Sequence, residues 1–165
     1  MKFYEYLNID YNRKELIDFV EKIDSWDVVY RRDNKKFADG VETYRYKQEL
    51  FNNSEIKRLA DIFEISYNQI QITKFSPDFT YNPHRDLERT TCILFPILPV
   101  FNYEPIVYHI DGQEIPVYYY GPVATDTRLL HSIKGNGSYR INMQFDLHCT
   151  LEESLNYVTK NNIRY

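Results

Sequence analysis

The sequence predicts an α+β chain, mainly β, whose main body is a β-sandwich or jelly roll. Three observations carry that expectation. Sixteen Tyr and ten Phe stand against a single Trp, and flat aromatic rings pack well on a pleated strand surface. From Tyr67 onward the hydrophobic period moves toward two, in short β-branched and aromatic runs cut by Pro, Gly, Asn and Asp. Two amphipathic helical patterns come before that region, so the helices lead and the strands follow.

Each element has its own signal. Between Arg13 and Asp24 the apolar Leu16, Ile17, Phe19, Val20 and Ile23 recur at helical spacing, with Lys and Glu opposite. Trp26 to Tyr30 reads as a strand, and the charged stretch Arg31 to Lys36 as a solvated loop. Ser54 is the expected cap of a second helix that buries Ile56, Leu59, Ile62 and Phe63. Strands are expected near 68–75, 91–98, 105–110, 114–120, 127–133 and 139–147. Asp111-Gly112 marks a tight hairpin, and Lys134 to Ser138 a second reversal. Leu151 to Asn161 closes the chain as a short helix. At 165 residues this is one domain, 1–165, with its strand-rich core at about 68–147.

Composition narrows the function classes. Hydrophobic residues at 43% and charged residues at 27% are a globular balance and argue against disorder. A net charge of −4 and a pI near 5.6 provide no global basic field, so nucleic acid is not indicated as a partner. Met1 to Asn8 lacks the basic-then-apolar order of a signal peptide, and no run reaches the length of a membrane span. A cytoplasmic protein without a membrane partner is the expectation. Cys92 and Cys149 lie far apart, outside any CxxC pattern, and read as reduced core residues.

The chemistry is concentrated in Asn82-Pro83-His84-Arg85-Asp86. On an extended segment residues two apart project to one side, so the His84 imidazole and the Asp86 carboxylate can converge on one ion. A third ligand must come from elsewhere, and His131 stands on a predicted strand among apolar neighbours. Two His and one carboxylate on one face of an ion leave its other positions open, as in non-haem Fe(II) oxygenases. Taken singly, each residue has an ordinary alternative. An HxD pair arises by chance, and a lone His on an apolar strand is often a satisfied core residue.

Arg140 adds weight to the set. It follows His131 by nine positions, across Gly135-Asn136-Gly137-Ser138, so an antiparallel hairpin is expected to bring it near His131 on the neighbouring strand. From Arg140 to Leu147 polar and apolar residues alternate strictly. By itself that alternation describes a sandwich strand with its polar face in water. If helices cover the apolar face instead, Arg140 points inward, where its guanidinium fork suits a dicarboxylate.

His84-x-Asp86, His131 and then Arg140 together resemble the Fe(II)/2-oxoglutarate-dependent dioxygenase superfamily over roughly Gln69 to Leu147. Within it, Tyr118 to Leu147 looks like the aspartyl/asparaginyl β-hydroxylase and proline hydroxylase branch. The resemblance implies a double-stranded β-helix, a cupin-like jelly roll flanked by the N-terminal helices and a short C-terminal one. It implies that His84, Asp86 and His131 ligate Fe(II), that Arg140 pairs with the distal carboxylate of 2-oxoglutarate, and that O2 takes the remaining metal position. No catalytic residue beyond the metal centre is expected. The implied reaction releases succinate and CO2 and oxidises a C–H bond of an amino acid, small molecule or peptide side chain, commonly to an alcohol.

Other residues are open. Arg89 is a further candidate for a 2-oxoglutarate carboxylate, set against a surface arginine at a strand entrance. His109 and His148 fall outside the ordered motif, and Tyr118-Tyr119-Tyr120 reads as strand packing before pocket lining. The competing function class is a non-catalytic jelly-roll ligand-binding module in which the polar residues are incidental.

Overall fold

The computed structural model describes residues 2–28, 40–87, 89–99, 105–135 and 137–160. It is mostly β, with two antiparallel sheets and few helices. The elements in chain order are β1 Tyr4–Tyr6, α1 Arg13–Val20, β2 Asp27–Val28, β3 Val41–Arg45, α2 Ser54–Ile62, β4 Ile70–Phe75, β5 Thr80–His84 and β6 Thr91–Leu98. They continue with β7 Ile106–Ile110, β8 Gln113–Val117, β9 Val123–Asp126, β10 His131–Lys134, β11 Arg140–Leu147 and α3 Leu151–Lys160. The larger sheet has seven strands in the order β1-β9-β6-β11-β4-β3-β2, and the smaller has four in the order β5-β10-β7-β8.

Several expectations move. The second helix is capped by Asn53, whose side chain accepts from the Ile56 N–H, and Ser54 is already helical. The strand expected at 127–133 forms only from His131, as β10 in the small sheet, after a turn; β9, just before that turn in the large sheet, was not foreseen. Strands β1 and β3 lack strong alternation and were not foreseen. Only part of the Trp26–Tyr30 run is described, as the two-residue β2, and the 31–36 loop lies outside the described residues, as does Asn161. The Asp111-Gly112 hairpin forms as expected, with φ of 51° and 78°, the two positive values that a type I′ turn requires.

β11 organises the core. Ile141, Met143, Phe145 and Leu147 pack into one cluster with Leu16 and Val20 of α1 and Ile56 and Leu59 of α2. The helices thus cover the apolar face, and the polar face turns inward. Arg140, Asn142, Gln144 and Asp146 are all buried, so the water-facing alternative for this strand does not hold. β10 and β11 are not hairpin neighbours. The Lys134–Ser138 reversal hands the chain from the small sheet to the large one, where β11 pairs with β4 and β6. Gly135 is required on the way: its N–H donates to the Phe79 carbonyl at 2.8 Å, and a Cβ would stand 2.1 Å from the Pro77 carbonyl oxygen.

Candidate metal centre

The site begins with strand pairing. His84 is the last residue of β5, and its Cα partner on β10 is His131. Side chains directly opposite on antiparallel strands touch, and here the imidazole centroids are 4.5 Å apart. Asp86 lies just beyond the strand, its N–H bonded to the Thr127 carbonyl at 3.0 Å. The two-residue spacing then turns its carboxylate back to the histidines. One ligand atom from each of His84, Asp86 and His131 falls within 4.8 Å of the others, and this is the one such group of His, Cys, Asp or Glu among the described residues.

The hydrogen bonds orient the rings. His84 Nδ1 lies 2.8 Å from the Asn82 carbonyl oxygen and His131 Nδ1 2.8 Å from that of Leu129. A carbonyl only accepts, so each Nδ1 carries the proton and each Nε2 keeps its lone pair for the space beside Asp86. His84 Nε2 is 3.7 Å from Asp86 Oδ1, and His131 Nε2 is 4.0 Å from Asp86 Oδ2. Both separations are too long for a hydrogen bond, yet two metal–ligand bonds of about 2.1 Å span them. The donor set therefore fits a divalent ion.

Electrostatics agrees with that fit. Burial pushes the His131 pKa down against the pull of the Leu129 carbonyl and Asp86, which keeps the imidazole neutral. Burial of Asp86 works against its charge, but the Arg89 guanidinium outweighs it, and its pKa lies below the ordinary carboxylate value. A neutral imidazole and an ionised carboxylate are what a metal needs, and His131 and Asp86 are held in those forms.

Arg89 is not the surface arginine considered above. Its side chain is 18% exposed and bridges two acids of the chain itself, with Nε 2.8 Å from Asp86 Oδ2 and Nη1 2.5 Å from Asp146 Oδ1. Its guanidinium is committed to these carboxylates, which weighs against the role on 2-oxoglutarate.

Arg140 is 4% exposed, with its guanidinium 5.9 Å from the Phe75 ring centroid and 5.8 Å from that of Phe79. A line of rings joins it to the histidines: Phe79 to Tyr81 at 5.9 Å, and Tyr81 to His84 at 5.1 Å. The link runs through these rings and not through a neighbouring strand, since β11 pairs with β4 and β6.

Of this wall, Tyr81 went unseen in the sequence, and Tyr119 was read there as strand packing before pocket lining. Tyr81 precedes His84 by three positions, which on a regular strand puts the two on opposite faces. The β5–β10 register slips between His131 and Ile133, so three residues of β5 oppose two of β10, and both rings share one side. Tyr119 is fully buried while Tyr118 and Tyr120 stand 51% and 59% exposed. Its hydroxyl accepts from Asn142 Nδ2 at 3.2 Å and interacts with the Arg140 guanidinium. Asn142 Oδ1 is buried without a hydrogen-bond partner, a mark of a polar space that a further group completes. A buried arginine beside such an amide fits a carboxylate-bearing guest.

His109 meets Ser132 Oγ at 2.8 Å, away from the centre, and His148 is exposed. Cys92 is buried in the second apolar cluster, and both cysteines are free.

No protein-family profile and no curated protein matches the sequence. Solved structures do match. A prolyl hydroxylase from Trichoplax adhaerens, in complex with a hypoxia inducible factor oxygen degradation domain peptide, superposes with a TM-score of 0.63 at 11% identity, covering 86% of this chain and 77% of that one. The chain has the fold of the 2OG-Fe(II) oxygenases. A second oxygenase of that kind, from Burkholderia pseudomallei, gives 0.55 at 11% identity over 87% of this chain and 84% of the other. SnoN, a non-heme alpha-ketoglutarate-dependent epimerase of nogalamycin biosynthesis, gives 0.58 at 10% identity over 87% and 76%. The oxygenase fold thus hosts different outcomes, and at these identities the comparison establishes architecture alone. No described helix is long and apolar enough to cross a membrane.

Proposed function

We propose that the chain is an Fe(II)- and 2-oxoglutarate-dependent dioxygenase, a double-stranded β-helix enzyme that hydroxylates an amino acid or a protein side chain. The observation that carries this reading is the convergence of His84, Asp86 and His131 inside the oxygenase fold. In this reading the three side chains hold Fe(II), and Arg140, with Tyr119 and Asn142 beside it, holds the far carboxylate of 2-oxoglutarate. Bound together with O2, these groups supply oxidative decarboxylation to succinate and CO2, coupled to oxidation of a C–H bond. The residues of the chain do the remaining work. His84 and His131 keep neutral Nε2 atoms aimed at the centre, and Arg140 fixes the co-substrate by charge and by its fork. Phe75, Phe79 and Tyr81 line the space and exclude water, which strengthens each polar contact inside.

A peptide-bound prolyl hydroxylase among the structural neighbours supports a side chain on a peptide as substrate. Asp86 supports hydroxylation over halogenation, which dispenses with the carboxylate ligand. The test is succinate formation from 2-oxoglutarate by the purified protein with Fe(II), ascorbate and O2, alone and with proline-containing peptides. Succinate from the wild type and none from Asp86→Ala is the expected result. A folded wild type that forms no succinate under any of these conditions supports the ligand-binding module instead.

A further inference from the structure

Asp86 shares its carboxylate with Arg89, and Arg89 is shared with Asp146. The chain of contacts runs from the candidate metal centre into the large sheet. Asp86 Oδ2 takes Arg89 Nε, Arg89 Nη1 reaches Asp146 Oδ1, and Asp146 Oδ2 takes Gln71 Nε2 at 3.2 Å and Tyr46 Oη at 3.4 Å. The side chains of Asp86, Arg89 and Asp146 are 16%, 18% and 11% exposed, so solvent screens them little.

The ordinary explanation is a staple that pins Asp86 and Arg89 to the sheet. The backbone already does that. Asp86 N–H bonds the Thr127 carbonyl, Thr127 N–H bonds the Thr90 carbonyl at 3.1 Å, and Thr90 N–H bonds the Leu147 carbonyl at 2.9 Å. The Thr127 hydroxyl adds a contact to the Arg89 carbonyl at 3.2 Å. With Asp86 and Thr90 held by main-chain bonds, the side-chain bridge acts on the carboxylate.

Two consequences follow from charge and geometry. Arg89 holds Oδ2, the oxygen nearest His131, and so fixes the rotation of the carboxylate that puts Oδ1 nearest His84. Arg89 alone would also cancel the charge of Asp86, so that with two neutral imidazoles the site would offer a dication no net charge. Asp146 neutralises Arg89 and returns one net negative charge to the centre.

We propose that Arg89 and Asp146 are positioning residues that set the orientation and the net charge of the Asp86 carboxylate for a divalent metal. This rests on the metal reading above. Outer partners of metal ligands typically change metal affinity about 10- to 100-fold when removed.

The test uses Co(II) as the probe on the purified full chain, read by calorimetry and by its visible d–d absorption, with circular dichroism to confirm folding. Asp146→Asn keeps the shape and removes the charge. Arg89→Lys keeps the charge and loses the fork that spans both acids, and it carries the same readout if Asp146→Asn does not fold. The expected result is Co(II) binding weakened about 10- to 100-fold in Asp146→Asn, and altered d–d bands in Arg89→Lys. Folded variants with wild-type affinity and wild-type bands, changed only in thermal stability, make the bridge a staple and overturn the proposal while leaving the metal reading intact. A wild type that does not bind Co(II) removes both.

Discussion

Replacing Arg140 with Met separates a ligand-binding arginine from a structural one. Arg140 is 4% exposed and its guanidinium lies against Phe75 and Phe79, a low-dielectric setting. Breaking a buried charge pair there costs about 3–5 kcal/mol, which at about 1.4 kcal/mol per decade weakens 2-oxoglutarate binding roughly 100- to 4,000-fold. The ligand-free protein responds differently. Met fills much of the same volume against the two rings, and the fold loses the Arg140 contact to the Tyr119 hydroxyl, a cost of about 1 kcal/mol. The assay is anaerobic calorimetry of 2-oxoglutarate on Mn(II)-loaded protein, with a metal titration and a thermal melt alongside. The expected outcome is a large loss of 2-oxoglutarate affinity, metal affinity close to wild type, and a melting temperature lowered by only a few degrees. A 2-oxoglutarate affinity within about threefold of wild type would refute the assignment, and parallel loss of metal and 2-oxoglutarate would show that Arg140 supports the fold of the centre instead.

Other predictions concern the frame around the site. Phe145 is fully buried with Phe63 and Phe95 against it, so Phe145→Ala should lower unfolding free energy in urea by about 3–5 kcal/mol; a loss under about 1 kcal/mol contradicts the placement of the core. Gly135→Ala should cost about 1–3 kcal/mol, because its Cβ meets the Pro77 carbonyl, and an unchanged melting temperature would show that the crossing is looser than drawn. Glu55 ties α2 to the start of α1: the Arg58 hydrogen bond and the Asn12 N–H hold its carboxyl pKa down against burial. Its stabilisation is therefore present above the unfolded value of about 4.3 and lost as pH falls through the lower folded value. Glu55→Gln should cost about 1 kcal/mol near neutral pH and flatten the acid side of the stability profile; an unchanged acid slope contradicts this.

Much of the fold was legible because period and turn chemistry are local. Asp111-Gly112 announces its hairpin, and the strict alternation from Arg140 to Leu147 marks β11 with the correct two faces. Where those faces point is not local. Alternation cannot tell a wet polar face from one turned into the space between two sheets, and only the packing of α1 and α2 decides it. The same limit explains the partition of β10 and β11 into different sheets, which reads in sequence as a hairpin. His84, Asp86 and His131 were legible as residue types at a spacing. Tyr81 was not, because its alignment with His84 depends on a bulge that alternation conceals. Arg89 looked like a surface residue because Asp146, its second acid, is distant in sequence and becomes its neighbour through the β6–β11 pairing of Cys92 with Asp146.

The central claim is that His84, Asp86 and His131 hold one Fe(II) on which 2-oxoglutarate is bound. Anaerobic titration of Fe(II) into the protein with 2-oxoglutarate, followed by visible absorption, tests it most directly. The account predicts a weak metal-to-ligand charge-transfer band that saturates at one Fe(II) per chain in the wild type and is absent from Asp86→Ala and His131→Ala. A folded wild type that gives no band at any Fe(II) concentration, or variants that give the same band, would contradict it.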